Sequence, residues 1–446
     1  MTAILLLTFF FLLMLNVPVA FCMLISSLAA LLYEGINPIM TALETTRSLA
    51  GFYAFLAVPF FILAGEIMSQ GGLSTKLINF VKSFIGHKRN GLPFVTVLSS
   101  QLFGAVSGAS AATCAAIGGM MIPPLEKNGY PRPFSSALAA CSGTTGALIP
   151  PSIALLIYGT VANLSIEKLF IAGIGPGILL GAVLMMIAAR ITRKFEVVIE
   201  PKATFKERVV STYQSIWVML LMVIIFGGIM GGIFTTTEAS SVAVIYALVV
   251  SLFIYKQLKL KDLPKLFLSA AKTTAALSFL LACASLFAWT LSIGQIPAVI
   301  ANAVLSASDS IIHFFTSNIS PEAYFMARKI IVLMLLNISL FVIGMFIDVA
   351  PGLLILVPVL LPLSEAIGMS TGLSAVHFGV IVVSNLIIGL VTPPVGSTLF
   401  VASGVGKTSI SQMLPFVLKL LFGMILVQLL ITYVPIITTF LPSLME

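Results

Sequence analysis

Residues 143–152 read Gly-Thr-Thr-Gly-Ala-Leu-Ile-Pro-Pro-Ser in the middle of an apolar run over residues 135–162. Proline lacks an N–H and its ring collides with the preceding turn, and glycine is a poor helix former, so a helix entering this stretch must break. The same design returns within residues 376–402, where Gly389-Leu-Val-Thr-Pro-Pro-Val-Gly396 interrupts a second apolar run. In register, Gly146 falls on Gly389 and Pro150-Pro151 falls on Pro393-Pro394. Unwound backbone is tolerated at membrane depth only against protein, water or ligand. Broken helices in corresponding places of two halves therefore point to a binding site at the breaks.

The chain has 446 residues, 59% of them hydrophobic and 9% charged, with mean hydropathy +1.15. That is too apolar for an ordinary soluble domain and defines a polytopic membrane protein. Apolar runs of about 20 residues recur, the length a helix needs to cross the hydrocarbon core, rather than the short alternating segments of a barrel. The class is all-α. The run over residues 2–33 lacks a basic n-region and a small-residue cleavage site, so it reads as a retained span, kinked at Asn16-Val17-Pro18. Cys22, Cys114, Cys141 and Cys283 all fall in apolar runs without a CxxC pair, which predicts packing residues and no disulfide or metal. The net charge of +8 is divided among loops, so it reports on topology and not on nucleic acid.

In order, the chain reads as spans at 3–33 and 52–69, an amphipathic piece at 73–84 closed by His87-Lys88-Arg89, and a hairpin at 91–125 broken at Ser107-Gly108-Ala109-Ser110. The interrupted helix at 135–162 and a span at 170–189 complete a first repeat, residues 1–189. Residues 190–237 form a basic seam and a linking span at 216–233, and residues 238–446 a second repeat. That repeat reads as a span at 239–255, a basic arm at 256–272, a span at 273–292 and a polar excursion at 294–329 without counterpart in the first half. A hairpin at 330–363 broken at Phe346-Ile347-Asp348, the interrupted helix at 376–402 and a span at 413–440 follow. Lys and Arg accumulate in cytoplasmic loops. Placing the seam inside leaves only Arg47, Lys168, Arg328 and Lys329 of the 23 basic residues outside. The two hairpins then open to opposite sides, an inverted repeat, with the amino terminus cytoplasmic and the carboxyl terminus outside.

The breaks carry the chemistry. Ser107, Ser110, Thr144 and Thr145 supply hydroxyls, and residues 146–151 free carbonyls. These hard oxygens suit an alkali cation rather than zinc or copper. In the second half Asp348 offers a carboxylate, Thr392 a hydroxyl and residues 389–394 more carbonyls. The half-helix amino termini beyond the breaks, at Ser152 and at Gly396-Ser397, with Thr144 and Thr145, are the candidate contacts for an anionic substrate. An ionisable group in an apolar stretch is a functional candidate, and the competing role for Asp348 is a cap on its half-helix. Glu66 sits near a span end and reads as interfacial, and Glu238 as a helix amino-terminal residue. No Ser-His-Asp set, metal spacing or nucleotide-binding loop is legible, which argues against an enzyme and against ATP-driven transport.

These residues resemble the large membrane (DctM-type, M) subunit of tripartite ATP-independent periplasmic (TRAP) transporters. The resemblance rests on Phe61-Ile-Leu-Ala-Gly65-Glu-Ile-Met68, Ser107-Gly-Ala-Ser110, Gly146-Ala-Leu-Ile-Pro-Pro-Ser152, Thr237-Glu-Ala239, Phe346-Ile-Asp348 and Gly389-Leu-Val-Thr-Pro-Pro-Val-Gly396, which span nearly the whole chain. It implies an elevator fold of the ion-transporter superfamily in the bacterial inner membrane, driven by a sodium gradient. It implies two partners, a small four-helix membrane subunit (Q type) and a periplasmic substrate-binding protein (P type), and an organic-acid substrate of the sialic acid or C4-dicarboxylate class. Carried over by position, one Na+ site uses Ser107, Ser110 and backbone at Gly146, Ile149 and Pro151, and another Asp348, Gly389, Thr392 and Pro394. The alternative is a self-sufficient sodium/dicarboxylate symporter of the same superfamily.

Overall fold

The computed structural model describes the chain apart from residues 16, 38, 42, 44–45, 47–52, 316–319 and 446. Asn16 of the expected kink, Arg47 and the first residue of the span at 52–69 lie outside the described residues. Among the described residues all regular structure is helical, and nine helices are long and apolar enough to cross a membrane.

The first repeat begins with α1 (Thr2–Met14) and α2 (Val19–Tyr33), followed by α3 (Ala57–Gln70) and the amphipathic α4 (Leu73–Ile85). Hairpin α5 (Gly91–Ser107) and α6 (Ser110–Lys127) comes next, then the interrupted helix α7 (Arg132–Gly146) and α8 (Ile153–Ala162), and α9 (Ile166–Thr192). Helices α10 (Phe205–Met230) and α11 (Thr236–Val249) open the second part. Both start with a capping box, in which Thr204 pairs with Glu207 and Thr235 with Glu238, so Glu238 has the terminal role read from sequence. Then come α12 (Leu263–Ile293), α13 (Ile296–Phe315), hairpin α14 (Pro321–Phe346) and α15 (Val349–Ala366), the interrupted helix α16 (Gly372–Gly389) and α17 (Ser397–Gly406), α18 (Ile410–Tyr433) and α19 (Ile436–Ser443).

The two interrupted helices lie antiparallel. Helix α17 packs on α7 while α16 packs on α8. At one end Arg132 Nε donates to Gly406 O at 2.7 Å, and beyond the breaks a Cβ on Gly379 would lie 2.4 Å from the Tyr158 ring. Hairpin α5/α6 joins the α7/α17 side through α6, and hairpin α14/α15 joins the α8/α16 side through α15. The hairpins thus approach the breaks from opposite ends, which is the inverted repeat. Buried amides tie the second half together. Asn337 Oδ1 accepts from Asn385 Nδ2 at 2.6 Å, Thr432 Oγ1 at 3.2 Å and Gln428 Nε2 at 3.3 Å. His377 joins this set through Thr438 Oγ1 at 2.7 Å and Thr432 O at 3.3 Å. These bonds join α14, α16, α18 and α19 through polar groups that lipid could not partner.

Three expectations are corrected. The run at 3–33 is not one span. It turns at Pro18, and α1 and α2 pack on each other as a hairpin whose ends meet where the Met1 ammonium pairs with Glu34 Oε1 at 3.2 Å. At 1.5 Å per residue each arm reaches roughly 20 Å, short of the roughly 30 Å hydrocarbon core. The amino terminus and Glu34 therefore share one side, where the sequence reading placed them on opposite sides. Second, no boundary separates a basic arm at 256–272 from a span at 273–292, because α12 runs unbroken through Lys265 and Lys272. Third, the excursion at 294–329 contains the 20-residue α13, packed on α15 and α14. It precedes the second hairpin as amphipathic α4 precedes the first, so the first half does have a counterpart. Asp309, within α13, pairs with Arg328 at 3.1 Å.

Candidate functional site

Each hairpin crosses its interrupted helix backbone to backbone. A Cβ on Gly104 of α5 would lie 2.5 Å from Gly146 Cα, and one on Gly389 would lie 2.6 Å from Gly344 Cα of α14. Only hydrogen fits at Gly104, Gly146 and Gly389, and at Gly344 a Cβ would stand 3.1 Å from Gly389 Cα, so these glycines bring each hairpin tip to a break. Around the tips and breaks lies a cavity of about 630 Å³. Ser107, Gly108, Ala109 and Ser110 of the first tip and Asp348, Val349 and Ala350 of the second reach it. So do Ile153 of α8, Leu390, Ser397 and Thr398 around the second break, and Gly65, Glu66 and Thr273 from α3 and α12.

At the first tip Gly108 is left-handed, with φ +64°, and a Cβ there would stand 3.0 Å from Pro151 O. The Pro151 carbonyl therefore faces the tip. Thr113 Oγ1 donates to Ala109 O at 2.8 Å, so its 2.9 Å contact with Ser107 Oγ makes Ser107 the donor and leaves the Ser107 lone pairs open. Among the described residues the Ile149 and Pro151 carbonyls accept no hydrogen bond, while Gly146 O accepts from Ile149 N at 3.2 Å. Ser110 lines the cavity at the start of α6. Hydroxyls and free carbonyls of this kind are hard oxygen donors that could hold a cation.

At the second tip Asp348 caps α15, its Oδ1 accepting from Val349 N at 2.8 Å, and it also lines the cavity. The cap and the cavity position coexist, since a carboxylate has acceptor capacity beyond one bond. Thr392 N donates to Gly389 O at 2.9 Å and Thr392 Oγ1 to Ile388 O at 3.0 Å, so both belong to the turn that ends α16. Pro394 O accepts nothing among the described residues. Gly396 N donates to Met345 O at 3.0 Å, stitching this break to the hairpin that crosses it. In both breaks the bond joining the two prolines is cis.

The candidate substrate contacts divide. Ser397 lines the cavity, and Gly396 stands beside it as the amino-terminal cap of α17. Thr144 and Thr145 are fully enclosed and bond back to Cys141 O at 2.7 Å and Ser142 O at 2.9 Å, as threonine in a membrane helix commonly does. Ser152 Oγ caps α8, accepting from Leu155 N at 3.3 Å. None of these three is among the cavity residues. Thr113, Thr398 and the Gly104 and Gly344 crossings were not legible. The signal for the glycines was their position three or four residues before each tip. Glu66 lines the cavity instead of lying at an interface.

Hairpin tips from two inverted halves, meeting two broken helices around one open cavity, define an all-helical membrane transporter of the inverted-repeat class. The chain belongs to the DctM family: residues 6–437 match the family described as "Tripartite ATP-independent periplasmic transporter, DctM component". It is 38% identical over 421 residues to a putative TRAP transporter large permease protein of Haemophilus influenzae, covering 94% of each chain. It is 38% identical to the C4-dicarboxylate TRAP transporter large permease protein DctM of Pseudomonas aeruginosa, covering 88% of this chain and 86% of that protein. It is 33% identical to the sialic acid TRAP transporter permease protein SiaT of a second Haemophilus influenzae strain, covering 99% and 68%. The fold is similar to that of the YdaH transporter of Alcanivorax borkumensis, with TM-score 0.54 and 16% identity over 87% of each chain. The protein is a multi-pass component of the bacterial inner membrane and a transporter subunit, not an enzyme.

Proposed function

We propose that this chain is the permease subunit of a sodium-gradient-driven importer of an organic acid. A periplasmic binding protein delivers the acid, and a small four-helix membrane subunit completes the complex. The cavity is the observation that carries the reading. It gathers uncharged oxygens at one hairpin tip and a carboxylate at the other, together with a half-helix amino terminus. Sodium at the tips supplies positive charge next to an anionic substrate, so each binds more tightly with the other present. Ser107, Ser110 and the Ile149 and Pro151 carbonyls hold one ion, and Asp348 with the Gly389 to Pro394 turn holds another. Movement of hairpins and broken helices as one body against α3, α11 and α12 is the elevator step.

The test is uptake in proteoliposomes containing the complex, with and without an inward sodium gradient. Uptake that needs the gradient and both partners supports the reading. Gradient-independent uptake overturns it, and uptake by this chain alone replaces it with a self-sufficient symporter. Asp348→Asn should raise the half-saturating sodium concentration about tenfold or more, because a neutral amide replaces the charge facing the ion. Sodium dependence equal to that of the parent protein would remove Asp348 from the site.

A further inference from the structure

The two half-helix amino termini are not equivalent. Helix α8 uses its own Ser152 as a cap, whereas the cap position of α17 is Gly396 and offers no side chain. The Ser397 N–H that opens α17 donates to no acceptor among the described residues. The next residue, Thr398, is fully enclosed, lines the cavity, and its Oγ1 has no hydrogen-bond partner. The Thr398 N–H is taken by Leu390 O at 3.1 Å, so the open donors are the Ser397 N–H and the buried Thr398 hydroxyl, and with the helix dipole these two favour an anion.

From α3, Glu66 brings a carboxylate to the same cavity. Its Oε1 accepts from Ser269 Oγ at 3.0 Å, and its Oε2 is enclosed without a partner. No Lys, Arg or His is among the described residues lining the cavity. One carboxylate of a substrate therefore has a receptor, at α17. A second would meet Glu66, which has neither a proposed ion nor a side-chain cation beside it in the cavity lining, while a hydroxyl group would satisfy Glu66.

We infer that the cavity selects a hydroxylated acid with a single carboxylate over a dicarboxylate. Thr398 and the α17 amino terminus hold the carboxylate, and Glu66 accepts from the hydroxyl groups. This rests on the transport reading above and assigns two residues and a substrate class to its cavity. Thr398→Val keeps the volume and removes the donor, so it weakens binding of every acid. Glu66→Gln relieves the repulsion and exchanges an obligate acceptor for a mixed group, so it erodes the discrimination.

The experiment is calorimetric titration of the purified membrane complex, in sodium and in its absence, with sialic acid and D-gluconate as hydroxylated monocarboxylates and succinate as the dicarboxylate. The expected result is sodium-dependent binding in which at least one hydroxylated acid binds tenfold or more tightly than succinate. Thr398→Val should weaken that acid about tenfold, the value of one hydrogen bond to a charged group, and Thr398→Ser, which returns the hydroxyl, should recover affinity. Glu66→Gln should narrow the gap to succinate. Sodium-dependent stabilisation of each variant against heat confirms that it is folded. Tighter binding of succinate, or undiminished affinity in folded Thr398→Val, overturns this inference and leaves the transport reading standing. Absence of sodium-dependent binding of all three acids overturns both.

Discussion

Gly108 carries two constraints at once, a left-handed backbone and a Pro151 carbonyl oxygen 3.0 Å from where a Cβ would stand. Alanine there costs about 1–2 kcal/mol in backbone conformation alone, before the collision is counted. Gly108→Ala should therefore lower the melting temperature of the purified protein and, on the sodium site proposed above, weaken its sodium stabilisation together, because the displaced atoms belong to that proposed site. An unchanged sodium response in a variant that melts lower would detach the tip from the ion site. Sequence located this tip because Ser-Gly-Ala-Ser stands out in an apolar run. It did not locate Thr398, whose only cue was adjacency to Ser397, since an unpartnered hydroxyl is a property of surroundings and not of residue type. Thr144 and Thr145 misdirected for the same reason: a threonine that bonds its own preceding turn and one that faces a cavity look alike in sequence.

At the scale of elements, the hairpins and breaks were legible because glycine, proline and hydroxyl clusters interrupt apolar runs, and these residue types have local backbone consequences. What was not legible depended on contacts between one helix and the next, which local composition does not show. The turn at Pro18 looked like a kink, since only the packing of α1 on α2 reveals that the chain returns. Residues 294–329 read as a polar excursion, and only the packing of α13 on α14 and α15 and the Asp309–Arg328 ion pair show a packed helix there. The glycine crossings give an element-scale prediction. Gly104→Ala places a Cβ 2.5 Å from Gly146 Cα, backbone that no rotamer change can clear, whereas Gly404 has nothing within 4 Å of its Cβ position. Gly104→Ala should abolish sodium-dependent uptake or the yield of folded complex. Gly404→Ala should keep both, with helix propensity gaining up to about 1 kcal/mol. Equal behaviour of the two variants would show that the crossing is looser than the structure has it.

At the scale of the whole molecule, charge bias and the repeated breaks are enough to read an inverted repeat in the sequence, because opposite orientation of the halves leaves a mark in the loops. The side of the amino terminus was not, since it depends on the parity of spans, and one re-entrant pair changes that parity. Cysteines placed at Thr2 and Asn37 test it, against native cysteines that are all buried. In sealed vesicles of one orientation, a membrane-impermeant maleimide should label both positions or neither. Labelling of one position without the other would restore a single span between them.

The glycine crossings also have a genetic consequence. Most core mutations can be rescued by a neighbour that shrinks, but at Gly104 and Gly389 the obstacle is the partner's main chain, which has nothing left to remove. Suppressors of a substitution at either glycine should therefore be absent from its crossing partner. They should arise instead at sites that shift a whole helix, such as the turns at Pro131 or Thr371 where α7 and α16 begin.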